Sequence, residues 1–204
     1  MRDADSAPPT RIVVTKFQTA SLVRELADLG VRDVGENRHQ EAVAKVAELD
    51  DPRLTWHFVG QLQSNKAKAV RGYASTVHSV DRASLVDALA ADDGREVGVF
   101  LEVGLSETPG RGGVDPDDIE ALAERVLATS GIRLLGVMGV APLGAEPRRA
   151  FARLRAVSER VRALEPTATA ISAGMSGDFR EAILEGATHL RIGTAITGFR
   201  PIPG

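Results

Sequence analysis

The stretch 168–195, ATAISAGMSGDFREAILEGATHLRIGTA, decides how the rest of the chain is read. It opens on a short apolar run, ATAISAG (168–174), continues into the helical pattern DFREAILEG (178–186), and returns to a second apolar run, THLRIG (188–193). A strand, a helix of one crossover length and a second strand make a βαβ unit, whose two strands lie parallel. Each strand ends in a small-residue elbow, GMSGDF after the first and RIGTA after the second.

The same unit recurs upstream. RIVVT (11–15) precedes ASLVRELADLG (20–30), VRDVGE (31–36) precedes RHQEAVAKVAEL (38–49), and LTWHFVG (54–60) precedes SNKAKAVRG (64–72). STVHSVD (75–81) precedes RASLVDALAADDG (82–94), and EVGVFLEV (96–103) precedes PDDIEALAERVLATSG (116–131), where Pro116 and the aspartates suit a first helical turn. IRLLGVMGV (132–140) precedes PRRAFARLRAVSERVRALE (147–165). With a short turn after THLRIG, eight strand–helix units result. This alternation predicts a parallel sheet with crossover helices, and eight units predict an α/β fold closed as a (β/α)8 TIM-type barrel. An open doubly wound sheet is the rival that the alternation also permits. No linker, repeat of residue identity or low-complexity segment divides residues 1–204, which read as one domain.

Composition narrows the function classes. Apolar residues make up 43% and charged residues 26% of the 204, with a formal net charge of −3. That balance gives no basic face for nucleic acid. No cysteine is present, which removes disulfides, thiolate metal sites and cysteine nucleophiles together. No pair of histidines or carboxylates has metal-ligand spacing, so no metal is predicted. The opening MRDADSAPPTRIVVT lacks the apolar run of a signal peptide, and no 18-residue apolar stretch exists. A cytoplasmic protein without membrane contact is expected.

In such barrels the reacting groups lie at the C-terminal ends of the strands, and phosphate is often bound by the loops after strands 7 and 8. The two elbows fall there. Gly177 and Gly193 allow close backbone approach, Ser176 and Thr194 supply hydroxyls, and a helix start presents free N–H groups to an anion. Helix capping without any ligand explains each elbow singly; the two together point to a phosphate. Basic residues are mostly arginine, with lysine only at 16, 45, 66 and 68. Lys16 directly follows the first strand, at the barrel mouth, where desolvation would free its amine for a Schiff base. Lys45 reads as a mid-helix residue among polar neighbours, and Lys66 and Lys68 open another helix. A mouth lysine with a phosphate site suits either a Schiff-base aldolase acting on a sugar phosphate or a pyridoxal phosphate protein. Arg191, at the end of strand 8, can only donate hydrogen bonds and would leave a pyridine ring nitrogen unprotonated; an ion pair with a nearby carboxylate is its plain alternative. His57, between Trp56 and Phe58, reads equally as a hydrogen-bonded barrel residue or a ligand contact, and His78 is similar.

In chain order, VVTK ending at Lys16, GENR (35–38), WHFVGQLQSNK (56–66), HSVD (78–81), SAGMSGDF and RIGTA closely resemble the pyridoxal phosphate homeostasis family, from about residue 11 to the C-terminus. The resemblance implies an alanine-racemase-like barrel carrying pyridoxal 5'-phosphate on Lys16. By position, Ser176, Gly177, Gly193 and Thr194 would bind its phosphate and Arg191 would face its ring nitrogen. Asn37 would lie near the ring and Met138 would line the pocket. Members of the family buffer or deliver the cofactor and have no firmly established reaction, so a binding protein, not an enzyme, is implied. A racemase-type enzyme of weak activity is the alternative. Against it stand one tyrosine, Tyr73, and no cysteine, where racemases of this type use a tyrosine from a second domain and decarboxylases a cysteine. A monomer is expected, with transient contact to apo-enzymes that use the cofactor. The chain departs from the family in its leading segment, where MRDADSAPPT stands in place of a helix, so residues 1–10 are expected to be disordered or a shortened start. It also departs at Ala173, Gly139 and Arg111.

Overall fold

The computed structural model describes residues 7–106 and 112–198. Eight strands alternate with eight helices. The strands are Thr10–Val14 (β1), Asp33–Glu36 (β2), Thr55–Phe58 (β3), Thr76–Val80 (β4), Val97–Glu102 (β5), Ile132–Met138 (β6), Ala170–Ser172 (β7) and His189–Ile192 (β8). The helices are Ala20–Asp28 (α1), His39–Leu49 (α2), Ala67–Arg71 (α3), Ala83–Leu89 (α4), Ile119–Leu127 (α5), Pro147–Leu164 (α6), Phe179–Leu184 (α7) and Thr194–Thr197 (α8). All strand pairs are parallel, and β1 closes on β8 in a register running from Thr10 opposite His189 to Val13 opposite Ile192. That closure excludes the open doubly wound sheet. Thr10, expected to belong to a disordered start, is already in β1; the earlier residues 1–6 lie outside the described residues, as does Arg111.

The period-2 pattern of each strand sends alternate residues to two different layers. The outward rows meet the helices and form the main apolar core, which runs from Phe58 and Leu62 through Leu85, Leu101, Ile119 and Leu154 to Ile192. A smaller cluster of Val23, Ala27, Val34, Leu54 and Trp56 seats α1 on β2 and β3. The inward rows are unusual for a barrel, whose interior is mostly branched apolar residues. Here they include His57, His78, Ser172 and Arg191, each no more than 5% exposed. Gly35 makes room inside, since a Cβ there would come within 3.0 Å of Ile12 Cγ2.

Near the starts of β5 and β6, Arg71 of α3 is 4% exposed. Its guanidinium donates to the carbonyls of Leu89, Gly131 and Arg95 and to Asp93 Oδ1, while Arg95 returns bonds to the carbonyls of Arg71 and Ala74. These bonds tie α3 to the ends of α4 and the starts of β5 and β6, satisfying carbonyls that would otherwise be stranded away from water. Among the described residues no helix is long and apolar enough to cross a membrane.

Candidate functional site: a lysine, an arginine and two elbows at the barrel mouth

β1 ends at a sharp bend. Thr15 is fully buried, Lys16 is exposed, and Phe17 turns the chain with φ 66°, a left-handed conformation that costs a non-glycine residue on the order of 1–3 kcal/mol. The bend is held from α2: Glu41 Oε2 accepts the Phe17 N–H at 3.1 Å. Beneath it lies a buried network the sequence reading missed. Lys45 Nζ donates to Glu36 Oε1 at 2.6 Å and to the Thr15 carbonyl at 2.7 Å, and the Thr15 hydroxyl donates to the same Glu36 oxygen at 2.6 Å. Two expectations are corrected here. Lys16 is exposed at the bend, whereas Lys45, read as a mid-helix residue among polar neighbours, is 6% exposed. The spacing of Lys45 with Ala42 on the inner side of α2, both buried, was the available signal.

The elbows after β7 and β8 touch each other. Ser176 Oγ accepts the N–H of Ala195 at 3.2 Å, which joins the β7 elbow to the first turn of α8. Asp178 Oδ1 accepts the Met175 N–H at 2.6 Å and folds the first elbow back. Gly174, at φ 91°, lets the chain leave β7, and a Cβ there would lie 2.7 Å from Ala182 Cβ. Gly177 faces open space.

Bend and elbows enclose a cavity of about 380 Å³ lined by Val14, Lys16, Asn37, Val59, Val140, Met175, Ser176, Gly177, Arg191, Gly193 and Thr194. Thus Lys16, Asn37, Ser176, Gly177, Arg191, Gly193 and Thr194 are brought together from β1, β2, β7 and β8. Met138 is not among the lining residues; it lies 2% exposed in β6 opposite Ser172, and Val140 forms that wall instead. Cavities of similar size lie beside α6 and between α3 and α4. Volume therefore does not single out this one; the combination of amine, guanidinium and elbows does.

Arg191 forms the floor. It is 5% exposed, with Nη1 donating to Ser172 Oγ at 2.7 Å and Nη2 to the Gly139 carbonyl at 3.1 Å. Among the described residues these partners, and no carboxylate, hold it directly. Burial pulls its pKa down to about 10, against the opposing pull of Glu102 and Asp178, and it stays charged at neutral pH. A Cβ at Gly139 would lie 2.8 Å from Leu105 Cδ1, and Ala173 is buried in the core. His57 and His78 are hydrogen-bonded inside the barrel and do not line the cavity.

Glu102, at the end of β5, has its pKa pushed up to about 7, first by burial and then by Asp81, with Arg191 opposing. A carboxyl raised in the folded state gives stability that is fully present below its unfolded value of 4.5 and is lost as pH rises through about 7. Glu102→Gln keeps the uncharged form at every pH. The fall in melting temperature between pH 5 and pH 8 should therefore be smaller in the variant than in the wild type; equal falls would count against this assignment.

Comparison with known proteins gives the fold and the family. The family model described as alanine racemase, N-terminal domain, matches residues 12–201. The pyridoxal phosphate homeostasis protein of Pseudomonas aeruginosa is 41% identical over 204 residues, covering 96% of this chain and 86% of that protein. The protein of the same name from Mycobacterium tuberculosis is 40% identical over 209 residues, covering 92% and 81%. The structure of PipY of Synechococcus elongatus with PLP bound superposes with a TM-score of 0.86 at 36% identity, covering 96% and 95%. Alanine racemase of Corynebacterium glutamicum shares the fold, with a TM-score of 0.78 at 16% identity, and this chain spans 58% of it. With a closed barrel, a mouth lysine, two joined elbows and these relatives, the chain belongs to the pyridoxal phosphate homeostasis protein family, built on the alanine racemase N-terminal fold.

Proposed function

We propose that this protein binds pyridoxal 5'-phosphate in the Lys16 cavity as a Schiff base and holds it in exchangeable form in the cytoplasm, without a robust reaction of its own. The observation that carries the reading is that one cavity contains Lys16, Arg191 and both elbows. The residues present fit the cofactor. Asn37 Oδ1 is buried without a partner beside the cavity, Gly177 leaves space where a side chain would stand, and Arg191 keeps N–H groups beyond those given to Ser172 and Gly139. When bound, the cofactor supplies an aldehyde and a conjugated ring able to take up electrons. Lys16 would condense with that aldehyde, forming C=N and releasing water. Ser176, Gly177, Gly193 and Thr194 would hold the phosphate, while Arg191, unable to accept a proton, would leave the ring nitrogen unprotonated.

The cavity also supports a holding role over catalysis. The lining residues offer one amine, that of Lys16, for proton transfer. Tyr73 lies elsewhere, stacked on His39, with its hydroxyl buried and its pKa raised by that burial. A racemase needs an acid/base on each face of the bound substrate, and a second one is not among the lining residues. Recipients would be apo-enzymes met transiently by the monomer.

The test is a visible absorption spectrum of the purified protein, followed by borohydride reduction and peptide mapping. A yellow band fixed to the peptide containing Lys16 supports the reading. A colourless protein that takes up no added pyridoxal phosphate would overturn it. Steady L- to D-alanine conversion above about one turnover per second, near the low end for enzymes, would overturn the holding role. Ser176→Ala and Thr194→Ala should each weaken retention by about 1–3 kcal/mol, the loss of a charge-assisted hydrogen bond. Ser176→Ala also unhooks Ala195 from the β7 elbow. Equilibrium dialysis measures both, and unchanged retention in the two would remove the phosphate assignment.

A further inference from the structure

A line of hydrogen bonds crosses the barrel interior from the cavity floor to the opposite end. Arg191 Nη1 meets Ser172 Oγ at 2.7 Å, Ser172 Oγ meets His78 Nδ1 at 2.9 Å, His78 Nε2 meets His57 Nδ1 at 3.0 Å, and His57 Nε2 meets Asp33 Oδ1 at 3.0 Å. The line draws one residue each from β8, β7, β4, β3 and β2, and it ends at the first residue of β2, where the Asp33 side chain is 29% exposed.

The direction of every bond follows from its two ends. A guanidinium can only donate, so Ser172 Oγ accepts from Arg191, and the one other partner of that oxygen among the described residues, His78 Nδ1, is where its own proton finds an acceptor. His78 is fully buried, and burial, helped by His57, Arg191 and His189, holds it uncharged, so its one proton sits on Nε2. That proton goes to His57 Nδ1, which leaves His57 to donate from Nε2 to the Asp33 carboxylate. All four bonds point the same way, with lone pairs toward the cation and protons toward the anion. Each dipole in such a file strengthens the next. Phe100, stacked at 4.5 Å on His78 and edge-on at 5.2 Å to His189, walls the file with apolar surface. The other titratable groups around it are His189, held neutral mainly by burial with a pKa near 4, and the carboxyls Glu102 and Asp178, which act on Arg191.

We propose that Asp33, His57, His78 and Ser172 act as a through-barrel relay that orients Arg191 and sets its field at the cavity floor, making Asp33 a positioning residue for a ligand bound at the other end of the barrel. The ligand part rests on the reading that pyridoxal phosphate occupies the Lys16 cavity. The relay itself belongs to the ligand-free protein. A set of independently satisfied core residues would need no common direction, and Asp33 would then not be felt at Arg191.

Two measurements test it, one of which needs no ligand. In 15N-labelled, ligand-free protein, the imidazole spectra should show both His57 and His78 protonated on Nε2 and bare on Nδ1. A proton on His78 Nδ1 overturns the relay. In the same samples Asp33→Asn, whose amide oxygen still accepts from His57, should shift the Arg191 guanidinium resonances; unmoved resonances with unchanged His tautomers also overturn it. In protein loaded with pyridoxal phosphate, Asp33→Asn makes the floor more positive and should lower the pH midpoint of the visible band. Ser172→Ala cuts the file next to Arg191. Adding Asp33→Asn to that variant should then move the midpoint by less than it moves the wild type, the remainder being direct Coulomb interaction, and an equal second shift would show that Asp33 acts through space alone and overturn the relay. If the wild type takes up no pyridoxal phosphate, the Lys16 reading fails, and the tautomers and guanidinium resonances still decide the relay.

Discussion

Lys16→Ala protein mixed with pyridoxal phosphate should show no visible band that borohydride fixes to the chain, while keeping a weaker, phosphate-driven affinity. The other three lysines cannot replace it without rearrangement. Lys45 is locked between Glu36 and the Thr15 carbonyl, and Lys66 and Lys68 lie at the start of α3, away from the cavity lining. Ser176, Gly177, Gly193, Thr194 and Arg191 all remain in the variant, so noncovalent binding should persist with a Kd raised at least ~10-fold, equivalent to about 1.4 kcal/mol. Dialysis with spectroscopy gives the affinity, and mass spectrometry after reduction gives the covalent adduct. A fixed adduct at wild-type level would mean that another lysine carries the cofactor. Because Lys16 is exposed and its bend is held from below by Thr15 and from the side by Glu41, the substitution should leave the melting temperature near the wild-type value.

Lys45→Met should cost about 3–5 kcal/mol of folding stability, the usual effect of removing one partner from a buried ion pair. Glu36 has no exposed side-chain surface, and its Oε2 already lacks a partner, so without the ammonium a carboxylate stands in an apolar layer between β2 and α2. The Thr15 carbonyl loses its donor as well. Replacing both members, Lys45→Met with Glu36→Leu, removes the stranded charge and should recover most of the loss. Urea unfolding of the three variants measures this, and a single-variant loss below about 1 kcal/mol would mean the pair is hydrated in solution. Lys45→Met should also loosen the Lys16 bend, since the lost bond anchors the residue before it.

Much of this molecule is written locally. The period-2 runs, the amphipathic stretches between them and the Gly, Ser and Thr residues after 172 and 191 specify strands, helices and elbows, because side-chain direction and capping are properties of a few consecutive residues. Eight repeats of that grammar are enough for a closed barrel, and Lys16 and the elbows are legible from their positions after strands. The charged state of the layers is not legible in the same way. Lys45 looks like any helix-surface lysine until α2 docks on β2 and sets it 2.6 Å from Glu36. His57 and His78 carry no signal of direction, and Asp33, Ser172 and Arg191 are separated from them by as much as 94 residues along the chain within a single bond. Which inward residues share a level is decided by the stagger of neighbouring strands on closure, such as β5 shifting against β6 between Val99 and Phe100. The sequence by itself determined the barrel and the residues at its mouth; only the tertiary structure decided what stands beneath them, because strand register is a property of the closed sheet and not of any strand in it.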